Sequence, residues 1–217
     1  MVMLPIQQKF KISFLFIFFL CLPVHSFELI EVDDNFFVHY GKQEEINKNN
    51  KGDIANLGFI VGDKSVAVID AGSTLEISTQ LINSIKNKTT LPISHLIITH
   101  GHPDHFMGGY AFKKYNPVVI GHENLERSLN MNFNFYKTLL ATNIEDKSIL
   151  NIKPLLPTLK IQKNQRLKID IGNRIIEIKA WKSGHTDNDL SVYDNNSKIL
   201  WTENIFIKRI PSIRASS

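Results

Sequence analysis

Cysteine is almost absent from this sequence: Cys21 is the single one in 217 residues, so a scaffold stapled by internal disulfides is excluded. An excess of charge of one sign is missing too. Lys and Arg number 25 against 21 Asp and Glu, a net charge of +4, and the basic residues are scattered rather than gathered into the stripe that a phosphate backbone requires. Nucleic acid is therefore not expected as a partner. The apolar run Ile12–Leu22 falls well short of the roughly 20 residues needed to cross a bilayer. There is no internal repeat, linker or low-complexity block. What is present, 43% hydrophobic and 21% charged residues, is enough to bury a core and excludes wholesale disorder; the length suits one domain.

The first 26 residues read as an export signal. Lys9 and Lys11 precede the apolar run, and Val24-His25-Ser26 supplies the small-x-small pattern of a cleavage site, which places the mature start at Phe27. Cys21 follows Leu20 rather than a small residue, so a lipid-anchored cysteine is not expected. The expectation is a periplasmic or secreted protein of residues 27–217, without thiols and with no stable membrane anchor after cleavage. Loss of the two lysines lowers its net charge to +2.

Hydrophobic periodicity then predicts strands at Glu28–Val32 and Phe36–Tyr40, and a hairpin of Ile54–Val61 and Ser65–Ile69 around Gly62-Asp63. Ser73 and Glu76 have the spacing of a capping box ahead of a helix over 74–87. Ile93–Thr99 reads as a buried strand that ends at His100. A short helix over Gly108–Tyr115, a strand at Val118–Gly121, a mostly helical stretch from His122 to Asn143 and a loop over 144–158 follow. Arg166–Ile171 and Arg174–Trp181 flank Gly172-Asn173 as a hairpin; Leu190–Tyr193 and Lys198–Trp201 form another. Strands, helix, strand, helices and strands in that order fit an α/β layered domain.

His100-Gly101-His102-Pro103-Asp104-His105 packs three imidazoles and a carboxylate into six residues directly after a buried strand. These are ligand types that zinc accepts at catalytic sites, and alternation in extended chain puts His100 and His102 on one side. Asp104 and His105 turn elsewhere, so the motif can serve two neighbouring metal positions. The segment Leu96–Gly109 resembles the His-x-His-x-Asp-His signature of the metallo-β-lactamase superfamily. Val68-Ile69-Asp70-Ala71-Gly72 resembles its strand-end aspartate, and Ser183-Gly184-His185-Thr186-Asp187-Asn188-Asp189-Leu190 its Gly-His-Thr element.

That resemblance implies an αββα sandwich covering residues 27–213. It implies one zinc held by His100, His102 and His185, a second site begun by Asp104 and His105, and Asp70 supporting the loop from behind. It further implies a hydrolase in which metal-activated water attacks the carbonyl of a small-molecule ester, thioester or amide such as a β-lactam, with Asp104 orienting the water and taking part in proton transfer. Asn204 stands where many members carry a metal-bridging aspartate, and no histidine follows His185. Asn204–Ile213 resembles an exported branch, the quinoprotein relay system zinc metallohydrolases, in which a last strand, helix and histidine would follow. The chain is thus expected to be C-terminally truncated, with one or two zinc ions. The alternative is a catalytically impaired zinc-binding protein, or an accessory factor with a periplasmic quinoprotein dehydrogenase as partner. His39, His95 and His122 read as ordinary histidines, Trp181 and Trp201 as core residues, and Lys208 and Arg209 as a solvated edge.

Overall fold

Two β-sheets lie face to face in the computed structural model, which describes residues 27–202 and 213–214. The expected leader, Asn204, Lys208 and Arg209 lie outside the described residues. The first sheet runs β1 (Ile30–Asp33), β2 (Phe36–His39), β3 (Leu57–Val61), β4 (Val66–Ile69), β5 (Ile93–Ile97), β6 (Val118–His122) and β7 (Leu159–Ile161), in that spatial order. Its first four strands pair antiparallel and β4 to β7 pair parallel.

Strands β3 and β4 carry no polar side chain because both faces of the sheet are covered there. Phe37, Phe59, Val68 and Leu96 look toward the helices, whereas Phe36, Val38, Ile60, Ala67, Ile69 and Ile97 look toward the second sheet. Helix α1 (Leu75–Lys88) buries Ile77, Leu81, Ile82 and Ile85, the i, i+4 spacing of one face. Its cap corrects the sequence expectation: Thr74 Oγ1 accepts from Ile77 N at 3.3 Å, while the Ser73 hydroxyl donates to Gly52 O at 2.6 Å. The Ser-x-x-Glu spacing was present, but a neighbouring loop carbonyl claimed the hydroxyl. A one-turn helix α2 (Pro103–Phe106) leads into a 3₁₀ helix over Met107–Tyr115, and α3 (Leu125–Ile144) completes the helical layer. The expected loop over 144–158 contains a further 3₁₀ turn at Lys147–Asn151.

The second sheet is antiparallel, in the order β12 (Ile213–Arg214), β11 (Ile199–Trp201), β10 (Leu190–Asp194), β9 (Ile175–Ala180) and β8 (Arg166–Asp170). Ile176, Ile178 and Ala180 of β9 point inward between the sheets, while Ile175, Glu177 and Lys179 alternate outward. The β8–β9 turn needs glycine: Gly172 has φ +102°, and a Cβ there would stand 2.4 Å from Lys64 N. Arg174 joins the sheets, pairing with the buried Asp194 carboxylate at 2.5 Å and donating to Asp34 O and Val61 O. Trp201 is wholly buried, its ring filling the space that a Cβ on Gly58 would enter at 2.8 Å. Trp181, expected in the core, instead lies on the outward face with the Lys179 ammonium 3.4 Å above its ring. The expected α/β sandwich is thus present, with its described helices over the first sheet. Among the described residues no helix covers the outward face of the second.

Candidate metal centre

The histidine motif begins where β5 emerges from the centre of the first sheet, held from below by one side chain. Asp70, the residue after β4, is fully buried and adopts a left-handed backbone at φ +61°. Aspartate and asparagine tolerate that conformation better than most residues. One carboxylate oxygen accepts from Thr99 N at 2.8 Å, and the other accepts from Thr99 Oγ1 and from His105 Nδ1, each at 2.8 Å. The backbones are stitched as well: Asp70 N donates to Ile97 O, and Ala71 N to His105 O. The charge of Asp70 therefore fixes both ends of the segment that carries His100, His102, Asp104 and His105.

His102 precedes α2, whose first residue, Pro103, has the fixed φ and missing N–H that suit a helix start. His100 Nε2 lies 3.2 Å from His102 Nδ1, which lies 2.9 Å from His185 Nε2. The donor atoms of these three histidines all fall within 4.8 Å of one another, so the group could hold a metal ion. His100 is 2% exposed whereas His185 opens to solvent, so the cluster has one buried wall and one open side. Beside it the His105 ring stands 4.1 Å from that of His100, and its Nε2 is 3.3 Å from an Asp104 oxygen.

Charge is distributed unequally over these groups. Burial, then the neighbouring imidazoles His105, His102 and His185, push the His100 pKa well below the ordinary histidine value. Burial and His185 also lower that of His102. Both are thereby held in the neutral form that a metal requires. Burial alone would raise the Asp104 carboxyl, but the charge and hydrogen bond of His105 bring it down to about 2. His105 is the converse: burial opposes its charge, yet Asp104 and Asp70 raise its pKa well above the usual value.

The loop bearing His185 is held by residues that sequence reasoning did not single out. Asp189, 2% exposed, accepts from Thr186 N and Thr186 Oγ1, closing the turn that follows His185, and Gly184 N donates to Thr186 O across His185 itself. Asn124 donates to Asp187 O at 3.0 Å, and Arg127 pairs with the Asp187 carboxylate, so the start of α3 braces the same loop. His122 donates from Nε2 to Trp181 O at 2.9 Å and accepts from Asn124 N at Nδ1. Asp189 lies inside the quoted Gly-His-Thr segment and could have been noticed there. Asn124 and Arg127 carry no local signal, being some 60 residues away along the chain.

The family model described as the metallo-beta-lactamase superfamily matches residues 50–202, which contain all of these groups. The chain belongs to the metallo-beta-lactamase superfamily. Among solved members, a metallo-beta-lactamase from Pontibacter korlensis aligns with a TM-score of 0.62 at 18% identity, over 81% of this chain and 70% of its own. One from Hirschia baltica gives 0.58 at 16%, over 81% and 70%. The DIM-1 metallo-beta-lactamase, in a structure exposed to ceftazidime, gives 0.58 at 16%, over 81% and 68%. These likenesses show the superfamily's fold. Comparison with curated proteins finds no match.

Proposed function

We propose that this superfamily member is an exported zinc-dependent hydrolase acting on the carbonyl of a small-molecule ester, thioester or amide, β-lactams included. The observation that carries the reading is the convergence of His100 Nε2, His102 Nδ1 and His185 Nε2. His102 Nδ1 has both other nitrogens within 3.2 Å, and its one proton or lone pair cannot satisfy both. A cation among the three would, and three imidazoles form a donor set typical of catalytic zinc. When bound, zinc supplies acidification of water, from a pKa of about 15.7 toward about 7, and polarisation of a carbonyl. Asp104 and His105 stand beside that triad as ligands for a second ion.

The chain's own residues contribute the rest. His100 and His102 are kept neutral by burial and by one another, ready to bind. Asp70 accepts from His105 Nδ1, which leaves Nε2, turned toward Asp104, as the ring nitrogen that would bind a metal ion once it gives up its proton. Asp104 stays ionised and can accept a proton at its carboxylate while orienting the attacking water. The open side at His185 admits substrate. The lactamases with this fold support including β-lactams among candidate substrates.

A second reading, a catalytically impaired zinc-binding protein or an accessory factor of a periplasmic quinoprotein dehydrogenase, is favoured by the neutral Asn204 at the place where many members carry a metal-bridging aspartate. Elemental mass spectrometry on folded residues 27–217, with His100→Ala as control, separates the two. Two zinc ions per chain, lost in the control, with chelator-sensitive hydrolysis of chromogenic esters or lactams, are expected of the hydrolase. One ion, without hydrolysis in any of those classes, supports the second reading, and no ion in the folded protein overturns the zinc-dependent hydrolase.

A further inference from the structure

A cavity of about 610 Å³ opens between α1 and the 3₁₀ helix Met107–Tyr115, and none of the clustered histidines lines it. Its floor is apolar, with Ile82, and its rim carries Lys86, Lys113 and Lys114 without a single carboxylate. Among the described residues none of these lysines forms an ion pair; each rests against an aromatic ring instead. Lys86 and Lys114 lie 5.1 and 5.2 Å from the Tyr115 centroid, and Lys113 lies 5.2 Å from that of Tyr110. Such contacts hold a cation in place while leaving most of its charge uncompensated. The Tyr115 hydroxyl is shut off from solvent beside the Lys86 and Lys114 ammonium groups, which draws both cations to one side of the cavity. Lys86 and Tyr115 also border a second hollow of about 430 Å³ lined by Leu91 and Pro92, so apolar room extends on both sides of the phenol.

Volume, apolar floor and a few convergent polar groups are the attributes of a small-molecule site. The charge selects the ligand. Three ammonium groups around one rim favour a doubly charged head over a carboxylate, and a phosphate monoester carries about −1.5 to −2 at neutral pH. Lysine serves such a head as a point charge, with no need for a fixed fork. We propose that this cavity is a ligand site, separate from the metal centre, for a small phosphate monoester with an apolar or aromatic body. The ester oxygens lie among Lys86, Lys113 and Lys114, and the body lies over Ile82. The site does not depend on the hydrolase reading.

The test is calorimetric titration of 2-naphthyl phosphate into the zinc-loaded protein, with 2-naphthol and inorganic phosphate as separate arms. Saturable binding is expected for the ester, with each of the other two weaker by about tenfold or more. The combined variant Lys86→Gln, Lys113→Gln, Lys114→Gln should weaken ester binding by about tenfold or more, with zinc content unchanged. Ala111→Trp, which fills the cavity without touching charge, should weaken it as well and decides the matter if the triple variant does not fold. Undiminished binding in Ala111→Trp overturns the proposal. So does equal binding of naphthol, absence of saturable binding, or loss of binding in His102→Ala with retention in the lysine variant, which would locate the ester at the metal centre.

Discussion

Strands β2 and β4 are buried along their whole length, while β8 and β9 alternate buried and outward residues. The same contrast divides the metal centre. His100, His102 and His105 rise from the enclosed sheet and are locked from below by Asp70, whereas His185 sits on an exposed loop of the other sheet, closed by Thr186 and Asp189. One half of the centre is therefore built into the core before any metal arrives. The other half is held by local hydrogen bonds and surface contacts, which keeps it accessible at low cost to folding.

Substitutions in the two halves should separate along that line, beginning with the largest effect on folding. Asp70→Ala leaves Thr99 and a cationic His105 without their buried partner and should cost about 3–5 kcal/mol in urea unfolding of the metal-free protein. The same change should weaken metal binding by about 10–100-fold, measured with a chromogenic zinc indicator. Asp70→Asn keeps a side chain suited to the left-handed backbone and should fall between the two proteins. On the second sheet, Arg174→Leu strands the Asp194 carboxylate with Ser197 as its remaining side-chain partner. A loss of about 3 kcal/mol is expected there, with zinc stoichiometry unchanged.

The Asp104–His105 pair predicts a pH window for the metal-free protein. The Asp104 pKa is lowered on folding, so its contribution is full above the unfolded value of about 4 and is lost as pH falls toward 2. The His105 pKa is raised, so its contribution is full below about 6.5 and is lost as pH rises through the folded value. The pair's own contribution, on the order of 2 kcal/mol, is therefore greatest between about pH 4 and 6.5. His100 and His102, whose pKa values burial lowers, withdraw stability as pH falls below about 6.5, so the pair's window is read from the difference in thermal midpoint between this protein and Asp104→Asn. Under the proposed two-ion reading, binding at the second position displaces the His105 proton, so zinc affinity there should climb with pH in isothermal titration. His185→Ala should lower zinc affinity sharply yet move the metal-free unfolding midpoint by less than about 0.5 kcal/mol, because the ring is exposed. Arg127→Ala removes an exposed ion pair to Asp187 and should cost about 0–0.5 kcal/mol in the same unfolding measurement, with the smallest effect on zinc affinity of the changes named.

Much of this architecture could be read from the chain in advance, for reasons visible in particular residues. Helix α1, β5 and both hairpins of the second sheet announce themselves by periodicity and turn chemistry. Strand β7 does not: it has three residues, two of them exposed, and exists because it pairs parallel with β6. Ser73 misled because local spacing cannot reveal that Gly52 O lies beside it. Trp181 misled because β9 and its continuation alternate faces, and apolar character alone does not say which face is covered. At the site, the density of histidines marked one half and the Gly-His-Thr segment the other. That His102 Nδ1 meets both neighbours, and that α3 braces the His185 loop, depend on contacts between distant segments and become visible only in three dimensions.

The placement of the two tryptophans gives the molecule an optical readout of that division. Trp201 is sealed between the sheets against Phe36 and Gly58, so its emission should be blue-shifted and should move red only when the sandwich opens. Trp181 lies at the partly open surface under Lys179, with its backbone N–H donating to Asp189 O at the foot of the His185 loop. Its emission should start further red and should respond to movement of that loop while Trp201 stays silent. A single intrinsic spectrum can therefore distinguish a rearranged metal site from an unfolded protein, with no label attached.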